Sequence, residues 1–372
     1  MRKLSIKMSK QNSIEVINYD RLWSQTVDLL RFPLMVAVCF IHVNHQALVD
    51  MNPSSIAYSV YFLISRILAE LAVPLFFIIS GYYFFYNKNS EKCIFNKEIY
   101  VSKLKKRIKT LLIPYIFWNV VTLILFVLDG RIAIHNLSDP LCLLNMFFYG
   151  KNSIYPVAVP FWFVRDLMYM VVISPIIYFL VKKAGLITML LFCIFWLSPF
   201  HSGYFPKVAL FFFCLGAFFS INGRNIVKDL SILPKISLFV VLIMLIISNL
   251  LINRNPMDTV HSAINIPCVH NIFIFVGLVS TVMIISKMLR VGKIRNVNKG
   301  LASASFFLFA IHPFAFSIIF RPLTLKIFPH NDFTFLIIYL FSVSCVAIIS
   351  VRVYKLLKLY FPKFASIITG GR

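Results

Sequence analysis

Ten apolar stretches follow one another along the chain, near residues 26–48, 67–86, 110–129, 160–181, 185–200, 207–222, 235–252, 271–290, 303–322 and 333–356, with only short polar segments between most of them. A helix rising 1.5 Å per residue needs about 20 residues to cross the ~30 Å hydrocarbon core of a bilayer, which is the length of most of these runs. Lipid offers no water to backbone N–H and C=O groups, so each run must satisfy them within itself, as helix. The expectation is an all-α polytopic membrane protein with about ten transmembrane helices. The membrane body fills 1–372 as a single integral-membrane domain, with no soluble domain. The runs at 185–200 and 207–222 are the shortest, and 130–159, containing "LCLLNMFFYG", reads as a loop with a short interfacial or re-entrant helix. A mean hydropathy of +0.85 and a 60% share of hydrophobic residues agree with this class.

The charge pattern sets the orientation. Lys and Arg number 37 against 13 Asp and Glu, for a formal net charge of +24. A basic excess clustered on one soluble face would suit nucleic acid. Here it lies in short runs between apolar stretches, and no nucleic-acid partner is expected. With the N-terminus in the cytosol, 28 of the 37 fall in cytosolic segments, eight of them in "KNSEKCIFNKEIYVSKLKKRIK", and seven fall in outer loops. The positive-inside rule thus places both termini in the cytosol. The first 25 residues are polar and basic, so no cleavable signal peptide is expected. Seven scattered cysteines show no metal-ligand spacing or disulfide framework, and Cys142 and Cys268 are expected as free thiols.

Ionisable residues inside such stretches are expensive and mark candidate sites. "DLLRFPLMVAVCFIH" carries Asp28, Arg31 and His42. Arg31 and His42 are eleven residues apart, which brings them to one helix face about 16 Å apart, a polar stripe with a cation below and an imidazole above. Asp28 has the i,i+3 spacing of a local ion pair with Arg31. His45 lies one turn beyond His42, but nothing else supplies metal ligands at useful spacing, and no metal is expected.

In "SRILAELAVPLFFIISGYYFFY", Arg66 and Glu70 have i,i+4 spacing for a local pair. Ser80, Gly81 and Tyr82 lie at the depth of Arg31, where a small residue admits either a neighbouring helix or a ligand. The cluster Lys105, Lys106, Arg107 and Lys109 enters the third stretch. Positive-inside anchoring accounts for it, and phosphate binding is a second use. "PFWFVRDLMYM" places Trp162 in an outer aromatic belt. Arg165 and Asp166, being adjacent, point in different directions, so at least one is expected to seek a partner on another helix, with Glu70 at similar depth. "SFFLFAIHPFAF" puts His312 near mid-membrane, either hydrogen-bonded to a carbonyl or facing substrate.

Taken together, "DLLRFPLMVAVCFIH", "VPLFFIISGYYF", "KKRIKTLLIPYIFW", "FWFVRDLMY", "LFFFCLGAFF" and "SFFLFAIHPF" resemble, in order, the landmarks of the membrane-bound acyltransferase-3 family of bacterial inner-membrane proteins. The resemblance covers nearly the whole chain, and the Arg and His separated by ten residues are its distinctive element. It implies a ten-helix enzyme of the cytoplasmic membrane that moves an acyl group, usually acetyl from acetyl-CoA as co-substrate, onto a hydroxyl of a cell-surface or lipid-linked glycan, with membrane lipid around it and no tightly bound cofactor. On that reading His42 is the general base, since neutral imidazole suits that task near pH 7, with Asp28 and Arg31 beside the donor. Arg31, Ser80, Gly81, Tyr82, Arg107 and Lys109 form the donor side, while Glu70, Trp162, Arg165, Asp166 and His312 are candidates on the acceptor side. A transporter or flippase for a lipid-linked glycan is the alternative that also calls for a polar stripe across the bilayer.

Overall fold

The structure is a computed structural model that describes residues 18–43, 54–87, 95–133, 137–148, 155–198, 205–232, 267–294, 298–316 and 331–371, with single positions at 52, 240 and 243. Among the described residues there is helix and no strand, so the chain is an all-α, multi-pass membrane protein. By length and composition six described helices are long and apolar enough to cross a membrane, one of them, Ser174–Leu197, being kinked at Ala184, and Lys207–Ile221 is a shorter apolar one. The expected stretch 235–252 lies outside the described residues, apart from 240 and 243.

Helix α1 is Tyr19–His42 and starts earlier than hydropathy alone places it. The Asn18 side-chain oxygen accepts the Arg21 N–H at 2.9 Å, an N-cap that fixes the start. Helix α2, Ile56–Phe85, also begins before its expected residue 67, because Arg66 does not interrupt it. Its middle loosens into a π-helical turn over Leu63–Leu68 and tightens into a 3₁₀ turn over Ala69–Leu71. Helix α3 is Lys97–Leu128, with a second π-helical turn over Ile108–Leu112 where the basic cluster meets the apolar run.

The segment after α3 turns back into the bundle. Helix α4, Pro140–Phe148, ends against Tyr115, whose hydroxyl donates to the Phe147 carbonyl. Tyr115 lies thirteen residues from Leu128, or about 20 Å below the end of α3 at 1.5 Å per residue. The chain continues at that depth, with Val157 N–H donating to the Met146 carbonyl at 2.8 Å and Ala158 N–H to Asn119 Oδ1 at 3.1 Å. The segment thus lies beside α3 rather than beyond its end, the arrangement that the re-entrant form of the expectation calls for.

Helix α5, Trp162–Val172, and helix α6, Ser174–Leu197, follow. Inside α6, Ala184 has φ −142° and ψ 49°, and Thr188 Oγ1 donates to the Leu180 carbonyl at 3.1 Å. Residues eight apart in a straight helix are separated by about 12 Å, so the chain doubles back at Ala184. The stretches expected at 160–181 and 185–200 are therefore two arms meeting at a corner that carries Lys182 and Lys183.

Helices α7 (Lys207–Ile221), α8 (Ile226–Leu230), α9 (Pro267–Arg290), α10 (Lys299–Phe314), α11 (Asp332–Tyr360) and α12 (Pro362–Thr369) complete the described fold. Helix α7 crosses α2 at two glycines. A Cβ on Gly81 would sit 2.0 Å from the Phe213 carbonyl oxygen, and one on Gly216 would sit 2.0 Å from that of Ile78. Backbones approach this closely only where neither helix carries a side chain.

Segments counted as cytosolic by their charge meet at one end of the bundle. Asp20 accepts from Tyr86 OH at 3.3 Å and from Asn225 Nδ2 at 2.7 Å, joining the start of α1, the end of α2 and the head of α8. Arg107 and Lys103 lie over the Phe84 ring, and Tyr100 OH donates to the Val172 carbonyl at 3.1 Å.

Candidate active site

Two of the sequence candidates come together where the C-terminal ends of two helices meet. Helices α1 and α10 pack along one another, and the rings of His42 and His312 meet edge to face with centroids 5.0 Å apart. His42 Nδ1 lies 2.9 Å from the Val38 carbonyl and His312 Nδ1 lies 2.7 Å from the Phe309 carbonyl. A carbonyl only accepts, so each Nδ1 carries the hydrogen, and in each neutral ring Nε2 is the lone-pair nitrogen. His312 is fully buried, and its Nε2 has no hydrogen-bond partner among the described residues. Phe309 and Phe316 flank the His312 ring, each with its centroid 6.1 Å away, so that side of the pair is apolar.

The re-entrant segment reaches this site. Phe161, where it rejoins the bundle, packs at a tilt on Phe309 at 4.9 Å, and Phe163 lies against Phe77 at 4.8 Å. A second polar group sits beside the end of α1. Ser65, on the π-helical turn of α2, donates to the Phe40 carbonyl at 2.8 Å and meets the Tyr339 hydroxyl at 2.6 Å. π-helical turns recur at functional sites because they present a side chain that regular helix would turn away. Ser65 and Tyr339 carried no distinctive motif in the sequence.

Toward the basic end, Arg31 Nη1 lies 3.0 Å from Asp28 Oδ1, the local pair its spacing predicts, and Arg31 remains 41% exposed. Its charge therefore still faces outward. Tyr83 stands beside both groups, while Tyr82 is buried edge-on to Trp23 and stacked on Tyr86. Burial, and then the Asp20 carboxylate it binds, raise the Tyr86 phenol above its usual range, so it stays a donor to Asp20. Ser80 is half-buried, and the space beside Gly81 is taken by the backbone of α7, as in the helix-packing reading of that motif. Lys105, Lys106 and Lys109 are exposed, and Arg107 is half-buried over Phe84. A polar cavity of about 360 Å³ opens nearby, lined by Asn18, Asp20, Arg224, Asn225, Lys228 and Asp229 among others.

Two expected pairings are corrected. Arg165 and Asp166 do pair with each other: the long guanidinium side chain folds back so that Nε and Nη2 approach Asp166 Oδ1 at 3.0 and 2.9 Å. Arg165 also reaches another helix, since Nη1 donates to the Phe148 carbonyl at 2.6 Å, so the buried pair pins the re-entrant helix. Glu70 is neither with Arg165 nor with Arg66. The π and 3₁₀ turns between Leu63 and Leu71 remove the regular i,i+4 register, and Glu70 Oε2 instead lies 2.7 Å from His270 Nε2 on α9, while Arg66 lies beside Tyr58 and Tyr61. His270, which the sequence reading missed, heads the apolar run "HNIFIFVGL", and an ionisable group in that position is the signal that could have found it. Trp162 is partly buried against the core at the start of α5. His45 lies outside the described residues.

Comparison with known proteins adds three findings. The acyltransferase-3 family model, described as an acyltransferase domain, matches residues 25–352. The succinoglycan biosynthesis protein ExoH of Rhizobium meliloti strain 1021 is 27% identical over 215 residues, covering 55% of this chain and 55% of that protein, so the match spans about half of its length. No solved structure matches the chain significantly.

Proposed function

Because the chain belongs to the acyltransferase-3 family, we propose that it transfers an acyl group, acetyl in the simplest case, from cytosolic acetyl-CoA to a hydroxyl of a cell-surface or lipid-linked glycan, as a multi-pass enzyme of the bacterial cytoplasmic membrane. The observation that carries this reading is the stripe on α1. His42, the last residue of α1, is in contact with a second histidine, and Arg31 stands on the same helix face about 16 Å away, toward the end where the basic segments gather. The ExoH match supports a glycan as acceptor, since the name of that protein ties it to the making of one.

The chemistry follows from the residues. Phosphates of the donor bind at cations, and Arg31, partly exposed beside Asp28, offers a planar charged donor set there. The exposed lysines of the Lys105 to Lys109 cluster add a screened, long-range attraction. Inside the bundle, His42 Nε2 removes the proton of the acceptor hydroxyl as its oxygen attacks the thioester carbon. The O–H and C–S bonds break, the O–C bond forms, and the proton ends on the departing sulfur as the CoA thiol. The apolar surroundings of the histidines keep water from competing as acceptor.

The scheme needs donor and acceptor to enter from opposite faces, with both termini in the cytosol and ten spans. A cysteine introduced by Arg131→Cys, at the end of α3, is expected to react with a membrane-impermeant thiol reagent added outside intact cells. Labelling only after the membrane is opened would reverse the orientation and overturn the donor side. Activity itself is tested by mass analysis of surface glycans from cells with and without the protein. A mass difference of one acyl group is expected, and identical glycans would favour transport instead.

A further inference from the structure

We propose that His312 is a proton-sharing partner of His42, a positioning residue that holds the proton of the reaction jointly with the base. This rests on the acyl-transfer reading of His42 given above. Three observations carry it: the two rings touch at 5.0 Å, each Nδ1 is committed to a backbone carbonyl of its own helix, and His312 Nε2 is fully buried without a partner among the described residues. A buried polar atom left without a hydrogen bond is costly, so a state that supplies it with a partner is favoured. The state that satisfies His312 Nε2 is one with a donor beside it, and His42 becomes a donor at the moment it takes the hydroxyl proton.

The sequence of steps balances without any added reagent. The acceptor O–H bond breaks and its proton goes to His42 Nε2. The resulting imidazolium, in an apolar site where a lone cation is costly, shares that proton with the lone pair of His312 Nε2. As the C–S bond breaks, the proton passes to sulfur, and both rings return to their neutral form. Among the described residues no other titratable side chain faces His312 in the same way. On the packed helix α11 the Tyr339 hydroxyl is engaged by Ser65, and Tyr354 packs at a tilt against Phe307. Arg31 and Asp28 on α1 lie about 16 and 21 Å along that helix from His42, paired together.

The simpler alternative is that His312 only satisfies the Phe309 carbonyl through Nδ1. His312→Asn separates the two, because the asparagine amide N–H takes the place of Nδ1–H while the lone-pair nitrogen is removed. The assay is release of CoA thiol from acetyl-CoA by purified protein, reconstituted in vesicles of cell lipid extract that carry the lipid-linked glycans. The expected result for His312→Asn is a kcat lowered by roughly 10²-fold, the lower end of the range for a positioned acid–base group, with the KM for acetyl-CoA and the melting temperature nearly unchanged. His312→Gln, which also lacks a basic nitrogen, is read the same way if the asparagine variant does not fold. Near-normal kcat in the folded variant would overturn the proposal and leave His312 as a backbone partner. If that result comes with His42→Ala inactive, the base assignment stands and only the sharing fails. An active His42→Ala, or a wild type that releases no thiol, removes the base reading and this proposal with it.

Discussion

His42→Ala is expected to abolish acyl transfer while leaving acetyl-CoA binding nearly intact. The two effects separate because His42 lies about 16 Å from Arg31 along α1 and acts on the acceptor proton. A positioned base contributes roughly 10² to 10⁴-fold to rate, and no other described side chain occupies the place of the ring against His312. Arg31→Ala should show the converse pattern, a raised KM for acetyl-CoA with the protein still folded, since Asp28 then loses only an exposed, local partner. Both variants are measured by thiol release and by equilibrium binding of acetyl-CoA. Transfer that persists in His42→Ala would move the base elsewhere. Normal donor affinity in Arg31→Ala would reduce the Asp28 pair to a structural one.

The second large effect concerns Gly81. In Gly81→Ala the new methyl would lie 2.0 Å from the Phe213 carbonyl oxygen, where contacts below 3.0 Å do not occur, and the obstacle is backbone rather than a side chain that can swing aside. Helices α2 and α7 must therefore separate by about an ångström or more at their crossing. Overpacking of well-packed interiors costs about 1–3 kcal/mol, and a clash with backbone belongs at or above the top of that range. The separation would also displace Tyr82, which follows Gly81 and is wedged between Trp23 and Tyr86. The expected result is a melting temperature lowered by several degrees or more and a reduced yield of folded protein in detergent. A Gly81→Ala protein with wild-type melting would mean that the crossing is looser than the structure has it.

The features that the sequence made legible are those decided within one segment. The all-α class follows from runs of hydrocarbon length, and the Asp28–Arg31 pair follows from a spacing of three on one helix. The polar stripe from Arg31 to His42 follows from helical periodicity in the same way. What was illegible depends on contacts between segments far apart in the chain. The meeting of His42 with His312 spans 270 residues and has no local signature, so the two stood as separate candidates. Glu70 found His270 across 200 residues only because two irregular turns broke the register that favoured Arg66. Arg165 and Asp166 misled for a different reason. Directions of Cα–Cβ bonds decide what short side chains can reach, but a guanidinium has enough length and enough donors to bond its neighbour and a distant carbonyl together.

The short helix α4 bears on how the protein is made. Nine residues of helix extend only about 14 Å and cannot cross a bilayer by themselves. The carbonyls at its C-terminal end are satisfied from both directions in the chain, Phe147 by Tyr115 on the helix before and Phe148 by Arg165 on the helix after. Those partners are complete only once α5 has been made, so docking of α4, and with it the packing of Phe161 against Phe309, is expected as a late step of assembly.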